Sequence, residues 1–191
     1  MVQSRLPVLG APSEPIPLEG DPFGDALSPR RIYVDTYGCQ MNEHDTQRMV
    51  SLMAADGYLP TERPEDADLI VLNSCSVREK AEQKLRSRAG ALKHLKRARP
   101  DLVFAIGGCV AQQEGKRLLD RVPHVDIVFG PDHLARLPEL VAGVRDTGRR
   151  VLETEFLDRR EYAFPPVETA APRQVSAFVS VMKGCDKFCS F

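Results

Sequence analysis

Four strand-length apolar runs, RRIYVDTYG, DLIVLNS, DLVFAIGG and VDIVFG, punctuate the chain between Arg30 and Gly130, and they restrict its fold more than any other feature. Each is rich in branched residues and continuously apolar rather than alternating, the pattern of strands buried on both faces of a parallel sheet. Between them, apolar residues fall at helical spacing: Met49, Leu52 and Met53 in the first interval, then Ala81, Leu85, Ala89, Leu92 and Leu95 in the second. Strand alternating with helix implies right-handed parallel crossovers and helices on both faces of the sheet. The expected fold class is therefore α/β, a doubly wound parallel sheet of flavodoxin-like type, with the four runs in the order 2-1-3-4. After the fourth run, GPDHLARLPELVAGV predicts a further helix, with Pro131 near its start, Gly143 near its end and Leu134, Leu137, Leu140 and Val141 as its apolar stripe.

The flanks depart from this repeat. Residues 1–30 are dense in proline, glycine and acid and lack the apolar segment of an export signal, so they read as a flexible tail and the protein as cytoplasmic. Residues 158–174 hold Pro165, Pro166 and Pro172 and read as an extended linker. QVSAFVSVM then opens a new apolar strand with no partner in the few residues after it. The expected organisation is a tail (1–30), an amino-terminal domain (31–157), a linker (158–174) and the truncated start of a second domain (175–191). No apolar run is long enough to cross a bilayer, so no membrane partner is expected. The net charge of -1 provides no whole-protein field for nucleic acid, which leaves only local patches.

Five cysteines, Cys39, Cys75, Cys109, Cys185 and Cys189, occur without an export signal. Cytosolic thiols are kept reduced, so ligation, catalysis or packing are the readings that remain. Cys39, Cys75 and Cys109 each stand just past the carboxyl end of a predicted strand, 36 and then 34 residues apart. In a doubly wound sheet these ends border the binding crevice, and strands ~4.8 Å apart bring three adjacent loops to within reach of one metal or cluster. The competing reading is three buried small hydrophobes. Packing, however, would place cysteines inside strands rather than at loop mouths.

For zinc, His44 would be the fourth ligand, although its place on the following helix predicts solvent exposure. A cluster held by three thiolates would instead keep one iron open. Gly107 and Gly108 permit close backbone approach, Gly38 can adopt a turn conformation closed to branched residues, and the helix starts after Cys75 and Cys109 present N–H groups that favour thiolates. Gln40, Asn42 and Asn73 lie near the same mouth, where ordinary loop hydrogen bonding explains them equally well. The terminal pair Cys185 and Cys189, a C-x3-C spacing in VSVMKGCDKFCSF, is by itself a chance pair or an opportunistic zinc site.

TYGCQMNEHD, LNSCSVREKAEQK, GGCVAQQEG and VFGPDHLARLPEL, together with VSVMKGCDKFCSF, closely resemble the MiaB-type tRNA methylthiotransferases, a branch of the radical S-adenosylmethionine enzymes. The likeness runs from about Arg31 to Phe191. NEHDTQR and SVREKAEQK resemble the tRNA-modifying branch rather than the relative that acts on a ribosomal-protein aspartate. The resemblance implies two [4Fe-4S] clusters, one on Cys39, Cys75 and Cys109 and one on the C-x3-C-x2-C motif that begins with Cys185 and Cys189. The motif's third cysteine would fall one position past Phe191, so this chain is expected to be the amino-terminal portion of a longer enzyme, inactive alone and ending at the start of a radical-SAM (β/α) barrel.

The resemblance also implies S-adenosylmethionine as cofactor, with an electron donor and tRNA as partners; a monomer is an expectation that the resemblance does not supply. The reaction implied adds a methylthio group to carbon 2 of N6-isopentenyladenosine beside the anticodon, through a 5′-deoxyadenosyl radical. The other function considered is a non-catalytic iron-sulfur or zinc module that docks a partner. Lys84, Arg86, Arg88, Lys93, Lys96, Arg97 and Arg99, after Glu79 and Glu82, then read either as a tRNA phosphate contact or as a solvated helix face whose charge order suits the helix dipole.

Overall fold

The computed structural model describes residues 29–76 and 79–157. In chain order its elements are β1 (Arg30–Tyr37), α1 (Gln40–Ala55), β2 (Tyr58–Pro60), β3 (Leu69–Ser74), α2 (Glu79–Ala98), β4 (Val103–Gly108), α3 (Cys109–Glu114), α4 (Lys116–Arg121), β5 (Ile127–Phe129), α5 (Leu137–Thr147) and β6 (Val151–Glu153). The strands form one sheet in the order β2-β1-β3-β4-β5-β6, and every neighbouring pair is parallel. Every residue of β3 and β4 is buried, as their continuous apolar runs require.

Two cores flank the sheet. On one face Leu85, Ala89, Leu92 and Leu95 of α2 pack with Val110, Ala111 and Leu118 onto Ile70, Leu72, Phe104 and Ile106. On the other, Met49 and Met53 of α1 and Leu137, Leu140, Val141 and Val144 of α5 pack onto Ile32, Val71, Ala105 and Ile127. Alternate residues of each buried strand therefore serve opposite cores, and the helical spacing read from the sequence supplies both covering layers.

Several expectations need correction. The four runs form β1, β3, β4 and β5, and they stand side by side in that sequence, so β3 rather than β1 is central to the three cysteine-bearing strands. The place across β1 belongs to the short strand β2, which no run of branched residues announces. A further edge strand, β6, was likewise not anticipated. The helix expected at Pro131 is divided: Pro131–Arg136 forms a 3-10 turn and α5 comes after it. Gly143 lies inside α5, which ends instead at Gly148 in a left-handed conformation (φ 65°), where the Gly148 N–H reaches the Val144 carbonyl at 2.8 Å. His44 is buried rather than exposed, because it lies on the side of α1 that turns inward with Met49 and Arg48.

The passage from β2 to β3 shapes the surface beside β1. Residues 61–68 cross β1 with one 3-10 turn, Pro64–Asp66, and no α-helix. The Thr61 N–H bonds to the Ile32 carbonyl at 2.9 Å and the Asp68 N–H to the Arg31 carbonyl at 2.7 Å, which ties the link to the amino-terminal end of β1. The carboxyl-terminal half of β1 is left without a helix over it on the α2 side, and Leu59 of β2 remains 48% exposed.

Candidate functional site

The strand register brings three cysteines to one rim. Tyr37 pairs with Ser74 and Ser74 with Gly108, so the residues directly after this row are Gly38, Cys75 and Cys109, with Cys39 one residue further along. The Cys75 N–H donates to the Tyr37 carbonyl at 2.8 Å, which extends the β1–β3 ladder into the loop. A methyl group on Gly38 would lie 2.5 Å from Cys75 Cβ and 2.6 Å from Asn42 Oδ1, so only glycine allows the Cys39 loop to close on Cys75. At Gly108 the backbone has φ +93°, and a methyl group there would meet Asn73 Oδ1 at 2.5 Å and the Ser74 carbonyl at 2.6 Å.

Exposure grades across the three thiols: Cys75 is buried, Cys109 half-buried and Cys39 exposed. Burial pushes the Cys109 thiol up from its ordinary value, and the negative charge of Cys75 and then of Cys39 adds to this, while a backbone hydrogen bond at Ser76 acts the other way. Among the described residues, no three His, Cys, Asp or Glu side chains converge tightly enough to hold a single metal ion, so His44 does not complete a one-ion set with these cysteines.

Beneath the rim, the polar residues flagged in the sequence form a buried lattice. Asn42 Oδ1 accepts from the Cys39 backbone N–H and from its thiol, each at 3.4 Å. Asn42 Nδ2 donates to Asn73 Oδ1 at 3.2 Å, and Asn73 Nδ2 donates to the Asn42 carbonyl at 2.8 Å and to Thr46 Oγ1 at 3.1 Å. Thr46 and Thr36 share a hydroxyl contact at 2.8 Å. Asn42 and Asn73 thus set the loops that carry Cys39 and Cys75, whereas Gln40 is exposed. Ser74 Oγ, directly before Cys75, is buried with no hydrogen-bond partner among the described residues.

A second cluster escaped the sequence reading. Asp35 Oδ2 accepts from Tyr37 Oη at 2.7 Å, Tyr33 Oη at 3.1 Å and Arg88 Nε at 3.0 Å, and Arg88 also donates to Tyr33 Oη at 2.8 Å. The signal was the Tyr-x-Asp-x-Tyr alternation, which puts all three β1 side chains on one face. Burial, followed by the bond to Asp35, raises the Tyr37 phenol above its ordinary value and keeps it a donor.

The basic residues of α2, with Arg99 just past its end, divide into two groups. Arg86 pairs with Glu82 and Glu114, Arg88 with Asp35, Lys96 with Asp126 at 2.8 Å, and Arg99 with Asp68 at 3.7 Å. Lys96 also donates to the carbonyls of Pro100 and Leu102, so it staples the end of α2 to the start of β4. These four are engaged by acidic partners, with Lys96 the most buried of them and Arg86 still exposed. Lys84, Lys93 and Arg97 have no acidic partner among the described residues.

The chain leaves β6 along the same rim. Gln112 of α3 donates to the Thr154 carbonyl, His133 Nε2 to the Glu155 carbonyl at 2.8 Å, and the Leu157 N–H to Asp132 Oδ2 at 3.3 Å. Cys185, Cys189, the linker, the second-domain start and the tail through residue 28 lie outside the described residues. Among the described residues no helix is long and apolar enough to cross a membrane.

Residues 31–130 match the model of a family described as uncharacterized protein family UPF0004. The chain is similar to proteins named tRNA-2-methylthio-N(6)-dimethylallyladenosine synthase. The one from Anaeromyxobacter dehalogenans (strain 2CP-C) is 52% identical over 180 residues, which cover 93% of this chain and 38% of the relative. Those from Ralstonia nicotianae (strain ATCC BAA-1114 / GMI1000) and Thiobacillus denitrificans (strain ATCC 25259 / T1) are each 48% identical over 164 residues, covering 85% of this chain and 35% and 36% of the relative. The chain thus spans little more than a third of the length of the curated relatives it matches.

Proposed function

This chain belongs to the UPF0004 family, and from that premise we propose that it is the amino-terminal part of a tRNA methylthiotransferase, in which Cys39, Cys75 and Cys109 hold one [4Fe-4S] cluster and Cys185 and Cys189 contribute to a second. The observation that carries this reading is the rim itself: three thiols on the ends of three adjacent strands, in a chain about half identical to proteins named as tRNA-2-methylthio-N(6)-dimethylallyladenosine synthases. Those names favour the enzyme over a non-catalytic docking module.

The residues at the rim suit such a group. Its donors are thiols, the ligand type that iron–sulfur clusters take. A cluster several atoms wide tolerates thiolates that do not converge on one point, whereas a zinc ion requires every sulfur at ~2.3 Å. Gly38 and Gly108 let the loops that carry Cys39 and Cys109 pack closely against Cys75, Asn73 and Ser74. Bound here, and with S-adenosylmethionine at the second site, the clusters would supply sulfur attachment and radical generation. The residues of this chain do the holding: Asn42 and Asn73 set the two loops, and Gly108 sets the turn into Cys109. The strand order of β1 to β5 supports a flavodoxin-like wind, and the proposal extends to a radical-SAM barrel start at 175–191, an external electron donor, a monomer and a cytoplasmic setting.

The test is nucleoside analysis by mass spectrometry of tRNA from a strain that lacks its own methylthiotransferase and expresses the gene carrying this sequence. The 2-methylthio derivative should appear with the parent gene and vanish with Cys75→Ala. Persistence of the unmodified nucleoside with the parent gene would contradict the proposal.

A further inference from the structure

We propose that the uncovered α2-side face of β1, with the groove beside it, is a contact surface for single-stranded RNA next to the modified nucleotide; this rests on the function proposed above and locates part of its substrate contact. The surface exists because the β2-to-β3 link carries no α-helix, so Asp35 and Tyr37 stay half-buried while β3, under α2, is buried throughout. In that space lies a groove of about 620 Å³ lined by Tyr37, Gln83, Lys84, Ser87, Arg88 and Ala91. It begins at Tyr37, two residues before Cys39, and so opens beside the cysteine rim and runs down the flank of α2.

Its chemistry fits a strand of nucleotides. A base needs a ring to stack on and a phosphate needs an unneutralised cation within reach of it. Tyr37 supplies the ring, and it is held in place because its hydroxyl is fixed to Asp35 at 2.7 Å. Arg88 neutralises Asp35 at 3.0 Å, so this carboxylate on β1 carries no uncompensated charge to repel a phosphate. Lys84, exposed and with no acidic partner among the described residues, supplies the free cation. Gln83 and Ser87 add hydrogen-bonding groups for base edges or ribose. Lys96 and Arg99, which the charge pattern alone would include, are committed to internal bonds and take no part.

The experiment uses the 191-residue chain, reconstituted anaerobically, and a fluorescein-labelled anticodon stem-loop, with binding followed by anisotropy at several salt concentrations. Tyr37→Ala should weaken binding by about tenfold, as loss of one stacked base does, while Tyr37→Phe stays within about twofold of the parent. Lys84→Glu should weaken binding and lower the salt slope by about one. Acylation footprinting should show Lys84 reactive in the free chain and protected by the RNA. Thermal melts that match the parent confirm that the variants fold.

Unchanged affinity and salt slope in Tyr37→Ala and Lys84→Glu would overturn the proposal while leaving the proposed function in place, since that rests separately on the cysteines. Failure of the parent chain to bind the stem-loop would overturn it as well. A Lys84 already shielded in the free chain would overturn it by assigning the face to a segment of the chain itself.

Discussion

Asn42 and Asn73, 31 residues apart, hold each other across the sheet rim: Asn42 Nδ2 donates to Asn73 Oδ1 at 3.2 Å, and Asn73 Nδ2 returns a bond to the Asn42 carbonyl at 2.8 Å. One belongs to the first turn of α1, just after Cys39, and the other to β3, just before Cys75. Both are buried, so the exchange fixes two cysteine loops relative to each other without help from water.

Replacing either asparagine by alanine leaves buried partners unsatisfied, an effect worth about 1–3 kcal/mol. Urea unfolding of Asn73→Ala should show that loss as a lower midpoint at unchanged m value. The double variant Asn42→Ala/Asn73→Ala should lose less than the sum of the single changes, because each single change orphans the other's groups. Additive losses would show that the two residues act independently.

Gly108 and Gly90 should respond oppositely to alanine. At Gly108 the backbone has φ +93° and a methyl group would lie 2.5 Å from Asn73 Oδ1, so strain and overpacking together should cost about 2 kcal/mol or more. A methyl group at Gly90, inside α2, meets nothing within 4 Å, and Gly90→Ala should stabilise by about 0.5–1 kcal/mol. Thermal melts of the two variants beside the parent read the difference. Equal shifts would contradict the tight turn into Cys109.

His124 makes stability depend on pH. Its Nε2 bonds to the Ala89 carbonyl at 2.8 Å, so that nitrogen carries the proton, and Nδ1 is buried without a partner among the described residues. Burial, more than the nearby Lys93 and Arg150, lowers its pKa below the ordinary histidine value. Between the two values the unfolded chain binds more protons than the folded one, so stability rises with pH there. The contribution is fully present above about pH 6.5, the unfolded value, and is lost as pH falls through the lower folded value. Urea midpoints between about pH 7.5 and 5 should fall more steeply for the parent than for His124→Gln. Identical slopes would assign the pH dependence elsewhere.

Periodicity in the sequence identified the elements that burial dictates. β1, β3, β4 and β5 are long or wholly buried, and their branched apolar runs announce them. β2 and β6 are three-residue edges whose existence depends on a neighbour's ladder rather than on their own side chains, so YLP and VLE carried no signal. That omission displaced the strand order by one position and hid the helix-free link that leaves β1 partly bare. The three rim cysteines were legible because strand ends and loop starts can be read from the runs themselves. The Asp35 cluster was not, since Arg88 lies 53 residues away and only folding brings it to the strand. For the same reason the basic stretch of α2 looked uniform, although the fold engages Arg86, Arg88, Lys96 and Arg99 with acidic partners.

The most direct test of the account is iron and sulfide content after anaerobic reconstitution, with Mössbauer spectroscopy, in a chain carrying Cys185→Ala and Cys189→Ala so that only the rim reports. That chain should hold about four irons and four sulfides in a cubane, and adding Cys39→Ala, Cys75→Ala or Cys109→Ala should each strip most of them. Equal iron and sulfide in the rim variants and their parent would contradict shared ligation by the three thiols.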